Sequence, residues 1–175
     1  MTRVVAVRHG ETDWNRNGRM QGWAPTPLNE TGRKQATAAG AWLAEEYEFD
    51  RVVSSDLLRT EQTTELLLES IGDRPVSFEP ALRERNLGVY QGLSYSDVED
   101  HFPAFGLGES GYRATDAVPE GGESLRDVHT RVTGRFEELA AADGETVLLV
   151  THGGPLCILL GHAKGLGLTD ALCSH

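Results

Sequence analysis

Cysteine is nearly absent from this chain of 175 residues: Cys157 and Cys173 are its only two, and they form no C-x-x-C pair. A disulfide framework is thereby excluded, and free thiols in a reducing cytoplasm are the expected state. Lysine is as scarce, since Lys34 and Lys164 are the only ones and every other cation is arginine. No apolar run approaches the ~20 residues of a membrane span. The N-terminus enters a strand pattern at once, without the basic and apolar regions of a secretory signal. Basic residues number 16 against 27 acidic ones, a net charge of −11, with no basic patch or stripe. A nucleic-acid partner is therefore not expected, nor a membrane, and the location read from these absences is cytoplasmic. The acidic surplus falls on presumed outer faces, at Glu45-Glu46, Glu48, Asp50, Asp97 and Glu99-Asp100. One reading is an acidic, halophilic protein, since a Debye length of ~3 Å at 1 M salt removes self-repulsion.

What remains is an ordinary globular composition, 39% apolar and 25% charged, with length enough for one domain over residues 1–175 and a substantial core. Strand patterns alternate with helical ones. The first strand is Val4-Val5-Ala6-Val7, and a polar stretch follows from Thr12 to Pro27. A helix opens at Asn29 or Thr31, with Ala36, Ala39, Leu43 and Tyr47 as its buried face. Arg51-Val52-Val53 is the second strand, and Ser55 or Asp56 is the expected cap of the next helix. That helix presents Leu57, Leu58, Leu66, Leu67 and Ile71, and Val76-Ser77-Phe78 makes a third strand. From about 90 to 122 the pattern is irregular and glycine-rich, with one short helix near Tyr95–His101, as befits a cap or lid. A helix from Ser124 to about Ala142 leads to the buried strand Thr146–Val150, and Pro155 is expected at the first position of a final helix. The predicted fold is α/β, a three-layer α/β/α sandwich with a mostly parallel central sheet.

Chemistry gathers at the strand ends. Val7-Arg8-His9-Gly10 and Val150-Thr151-His152-Gly153 both close a buried strand with His-Gly. Ligand sites in open α/β sheets lie at the strands' carboxyl ends, so a parallel sheet would set both imidazoles on one rim. Arg59, in the first turn of the helix after another strand, leans back toward that rim. A metal held by His9 and His152 is disfavoured, because flanking arginines repel a cation and no zinc-ligand spacing occurs. His101, His129 and His162 carry no assignment; Arg83 and Arg85 read either as substrate-facing or as ordinary surface cations, and Trp14 and Trp23 read equally as packing the loop or touching substrate.

These residues resemble the histidine phosphatase superfamily, the phosphoglycerate mutase-like family. Its motifs are matched in order by Arg8-His9-Gly10-Glu11-Thr12 with Trp14-Asn15, Gln21-Gly22, Pro27-Leu28-Asn29 with Gly32, and Ser54-Ser55-Asp56-Leu57-Leu58-Arg59-Thr60 with Gln62-Thr63. Leu82-Arg83-Glu84 with Gly88, Glu120-Gly121-Gly122-Glu123-Ser124 and Thr151-His152-Gly153-Gly154 complete the set. The resemblance implies that His9 is a nucleophile forming a phosphohistidine, with Arg8 and Arg59 clamping the phosphoryl oxygens. It implies a further donor in His152, a close backbone approach at Gly153, and contacts from Asn15, Gln21 and Gly22. Glu84 matches the family's general acid, a role that a carboxyl of raised pKa can fill. Glu11, adjacent to His9, is the competing candidate.

The implied activity is phosphomonoester hydrolysis on a small phosphorylated substrate, with no metal and no other cofactor. The alternative is a mutase, which would use 2,3-bisphosphoglycerate; a non-catalytic phospho-ligand module is a third reading. Mutases that this chain resembles carry a longer insertion before the second histidine, with an Arg-Arg pair and a lysine. Here the interval from Glu84 to His152 is short, lacks lysine, and offers Tyr112-Arg113 with a single arginine. Relatives continue into a further strand and tail, whereas this sequence stops at His175: either it is truncated or the pocket is more open than theirs, and an exposed sheet edge would suit a homodimer.

Overall fold

The strand Thr146–Thr151 (TVLLVT) has no charged side chain, and all of it beyond Thr146 is buried. Only a central strand covered on both faces tolerates such a run. In the computed structural model, which describes residues 2–105, 115–142 and 144–168, it lies inside a four-stranded sheet. With strands numbered along the chain, β1 is Arg3–Arg8, β2 Arg51–Ser54, β3 Val76–Phe78 and β4 Thr146–Thr151, in the order β1-β4-β2-β3. Every pairing is parallel, with Val5 opposite Leu148 on one side of β4 and Val52 opposite Leu148 on the other.

Alternation along β4 splits the core in two. Val147 and Leu149 pack with Val128, Val132 and Leu139 of α5 (Leu125–Ala141) and Ile158 and Leu159 of α6 (Gly153–Ala163). Leu148 and Val150 pack on the opposite face with Leu43 of α2 (Glu30–Glu46) and Leu67 and Ile71 of α3 (Leu58–Ile71). The sandwich has the expected three layers. A separate apolar cluster of Met20, Leu87, Val98 and Phe105 joins the short helix α4 (Tyr95–His101) to the segments around it. Part of the proposed cap, with Tyr112 and Arg113, lies outside the described residues, as do Cys173 and His175.

Helix starts follow local chemistry in most places. Asn29, not Thr31, caps α2 by accepting from the Gly32 N–H at 2.9 Å. Ser94 and Ser124 begin α4 and α5 with reciprocal capping boxes through Asp97 and Asp127. The polar stretch after β1 holds a single-turn helix, α1 (Asp13–Arg16), boxed by Thr12 and Asn15, where the sequence reads as loop.

Three expectations fail. The residue before α3 is Leu57, which gives no side-chain cap, because Ser55 is engaged with His152 and Asp56 with Arg83. α6 starts at Gly153 with His152 as its N-cap, so Pro155 stands two residues inside the first turn. The third fails in part: the buried face of α3 is polar in its first half, with Arg59, Thr60, Thr63 and Thr64 inward and Leu58 and Leu66 only half-buried, while Leu57, Leu67 and Ile71 are buried as expected.

The turn after β1 is pinned by close backbone approach. A Cβ on Gly10 would strike the Gly32 carbonyl, and one on Gly32 would strike the Glu11 backbone. The first turn of α2 thus lies directly against the segment that carries His9.

Candidate active site

His9 follows β1 directly, and its N–H extends the ladder by donating to the Thr151 carbonyl at 3.0 Å. Its Nδ1 lies 2.7 Å from the Gly10 carbonyl oxygen. A carbonyl only accepts, so the proton resides on Nδ1 and the lone pair on Nε2. The Arg59 Nε–H points at that nitrogen from 3.3 Å. Burial is the main cause that lowers the pKa of His9 to about 3, aided by the charges of Arg59 and Arg8 and opposed by the Gly10 contact. The imidazole is neutral across the physiological range.

Arg59 is itself buried, held by the Gly22 carbonyl at 2.9 Å and the Ala24 carbonyl at 3.3 Å. Burial brings its pKa down to about 10, with the Glu84 charge opposing and Arg8 assisting, so it remains a cation at neutral pH. Arg8 is exposed at the end of β1.

Glu84 reaches the same place from the segment that follows β3. One carboxylate oxygen accepts from the Gly154 N–H at 3.2 Å, in the first turn of α6, and the other from the Arg85 N–H at 2.9 Å. A Cβ on Gly154 would collide with Oε1 of Glu84.

An inner cavity of about 40 Å³ is lined by Arg8, His9, Asn15, Gln21, Gly22, Arg59 and Glu84, together with Leu87 and Tyr95. An outer cavity of about 330 Å³ is lined by Arg8, His9, Glu11, Asn15 and Gln35. The arrangement separates the competing carboxylates. Glu11 is engaged by Asn29 at 2.8 Å and Arg16 at 2.7 Å, contacts that lower its pKa, and it lines only the outer cavity.

His152 and Gly153 stand differently from the rest. His152 is fully buried beside His9, with ring centroids 5.1 Å apart, and its Nε2 lies 2.8 Å from the Ser55 hydroxyl. Its Nδ1 has no hydrogen-bond partner among the described residues. Burial first, then Arg59 and His9, hold its pKa well below the ordinary value. Gly153 lies against the Arg8 guanidinium, in a hollow shared with Leu156, Cys157 and Leu160.

The side-chain carbonyl of Asn15 accepts from the Thr12 N–H, and that of Gln21 from the Thr12 and Thr26 hydroxyls. That fixes both amides at the cavity wall.

Several further residues support the site from outside the inner cavity. Trp23 donates its Nε1–H to the Glu84 carbonyl at 2.7 Å and takes Arg83 against its ring face. Arg83 forms a two-pronged pair with Asp56, and Arg85 turns inward to the Glu123 and Ala117 carbonyls, so neither lines the inner cavity. Thr63 joins α3 to the Gly10 N–H at 3.1 Å. Among the described residues no group of three or more His, Cys, Asp or Glu side chains is disposed to hold a metal ion. No described helix is long and apolar enough to cross a membrane.

A parallel sheet whose carboxyl edge presents a neutral imidazole between guanidinium groups, with a carboxylate opposite, defines an anion-handling α/β enzyme. The family model of the histidine phosphatase superfamily (branch 1) matches residues 4–174, and the chain belongs to that family. It is 36% identical over 162 residues to phosphoglycerate mutase-like protein 4 of Arabidopsis thaliana, covering 92% of this chain and 70% of that protein. It is 38% identical over 158 residues to a metal-independent phosphoserine phosphatase of the same plant, covering 89% of this chain and 66% of the relative. The solved structure of mycobacterial glucosyl-3-phosphoglycerate phosphatase with VO3 superposes with a TM-score of 0.81 at 34% identity, over 97% of this chain and 85% of that one. Phosphatases and phosphoglycerate mutases both stand among its relatives.

Proposed function

We propose that the protein hydrolyses phosphomonoesters through a phosphohistidine on His9. The observation that carries this reading is the neutral His9, its Nδ1 tied to the Gly10 carbonyl, sharing one cavity with Arg8, Arg59 and Glu84. Nε2 attacks phosphorus in line, the P–O bond to the alcohol breaks, and protonated Glu84 gives its proton to the departing oxygen. A water then attacks phosphorus, the P–N bond breaks, and the Glu84 carboxylate takes the water's proton, releasing phosphate and neutral His9. Arg8 and Arg59 bind the equatorial oxygens, whose charge they offset, and being buried Arg59 does so without reorganising. His152 supplies a further donor, which its unpartnered Nδ1 supports, while Asn15, Gln21 and Gly22 shape the phosphate's surroundings and Gly153 backs the Arg8 guanidinium. The described part of the segment from about 90 to 122 caps the pocket, a reading that Tyr95 of α4 on the cavity wall supports.

This reaction needs water alone, and no metal or cofactor. A mutase would instead keep water out and require 2,3-bisphosphoglycerate. The short, lysine-free interval between Glu84 and His152 favours the hydrolase. The reading also includes a cytoplasmic location, and a homodimer across the outer edge of β1, which sedimentation would detect.

The test is rapid quenching with a radiolabelled phosphoester. The wild type is expected to give an acid-labile, base-stable phosphoprotein and net phosphate release, and His9→Ala to give neither. Turnover retained by His9→Ala refutes the mechanism. Interconversion of phosphoglycerates without net phosphate release assigns the mutase activity instead.

A further inference from the structure

Glu84 sits in the irregular segment after β3, between the single 3₁₀ turns Pro80–Leu82 and Gly88–Tyr90, with no helix or strand of its own to hold it. A general acid must nonetheless be placed closely, since small misplacements cost large factors in rate. Arg131 of α5 supplies that placement. Its Nη1 donates to the carbonyls of Ala81 at 2.9 Å and Arg83 at 2.7 Å, and its Nη2 to the carbonyl of Glu84 itself at 3.0 Å. Nε and Nη2 take the Glu123 carboxylate at 3.1 and 2.7 Å. All five guanidinium N–H groups are thereby used.

Glu123 completes the bracket. Its Oε1 also accepts from the Asn86 N–H at 2.8 Å, so Arg131 and Glu123 hold the main chain on both sides of Glu84. Both side chains are largely buried, where an ion pair is little screened. The planar fork matters, because an ammonium at the same place has a single point of donation and cannot serve three carbonyls and a carboxylate in fixed directions.

We propose that Arg131, braced by Glu123, is the positioning residue for Glu84, setting how well the acid protonates the leaving oxygen. The proposal rests on the reading of Glu84 as general acid. Arg131 touches neither the cavity nor the substrate, so its effect should fall on proton transfer and not on phosphate binding.

Leaving-group dependence tests this. An alkyl phosphate needs its departing oxygen protonated, whereas 4-nitrophenyl phosphate does not. For Arg131→Lys, kcat/KM is expected to fall by about tenfold or more on the alkyl ester and by less than about threefold on the aryl ester. Inhibition by inorganic phosphate should be unchanged. Glu84→Gln should show the same selectivity, more strongly. Equal losses on both esters, or no loss on either, overturn the role of Arg131 while a selective Glu84→Gln leaves the acid assignment standing. An unselective Glu84→Gln overturns both. Should Arg131→Lys fail to fold, the double variant Arg131→Met with Glu123→Gln, which leaves no unpaired buried charge, is read in the same way. If neither folds by thermal melting, Arg131 is purely structural and the proposal fails.

Discussion

Gly154 has no side chain where Glu84 needs the room. Its N–H donates to one carboxylate oxygen while a Cβ would meet the other. Gly154→Ala lies inside a helix, where alanine is favoured by up to about 1 kcal/mol. The variant is therefore expected to melt no lower than the wild type, yet to lose at least about tenfold in kcat on an alkyl phosphate, because the carboxylate must swing away. His9 and His152 make a second prediction. Both are buried without charge, with folded pKa values below the ordinary value of about 6.5 of the unfolded chain. The unfolded state therefore binds more protons below that pH, and stability falls as pH drops from about 6.5 toward the folded value. Each histidine adds a slope of up to about 1.4 kcal/mol per pH unit. Urea midpoints measured between pH 7 and 5 should decline steeply, and His9→Asn should flatten the decline. Arg8, His9, Arg59 and Glu84 are legible in the sequence because side-chain chemistry and motif order name them. Trp23 and Arg131 are not, since what they hold is main-chain carbonyl, and a carbonyl has no letter in a sequence.

Among the elements, α3 departs most from its pattern. Its leucines promise an apolar face, but the residues turned inward beside the site are Arg59, Thr60, Thr63 and Thr64. Each threonine is satisfied locally: Thr60 and Thr64 hydroxyls donate to carbonyls one turn back or nearby, and Thr63 donates to Arg59 while accepting from Gly10. Thr63→Val keeps the shape and strands the Gly10 N–H, so it is expected to cost about 1–3 kcal/mol by denaturant titration. It should also slow phosphate release, since that N–H belongs to the turn holding His9. Periodicity reads the strands, α2, α4 and α5 well, because their burial and caps are local. The caps of α3 and α6 escape it for one reason: Ser55, Asp56 and His152 are committed to partners distant in the chain.

On the scale of the whole molecule, the sequence carries a net charge of −11, while Arg59 of the site and Arg131 of the Glu84 bracket are drawn inward. Adding NaCl from about 0.01 to 1 M shortens the Debye length from about 30 to 3 Å. The urea midpoint is expected to rise over that range, and a midpoint indifferent to salt rules out self-repulsion as a factor in stability. The sheet order has a temporal consequence. β1 is made first, yet its neighbour β4 begins at Thr146, so Arg3 pairs with a residue made after nearly the entire chain. At ribosomal rates of about 5–20 residues per second, the first strand waits on the order of ten seconds for its partner. His9 and His152, and the Gly154 amide that steadies Glu84, lie on opposite ends of that interval. A nascent chain therefore brings the two imidazoles together only once β4 and α6 have emerged, and on the proposed mechanism synthesis withholds the chemistry until then.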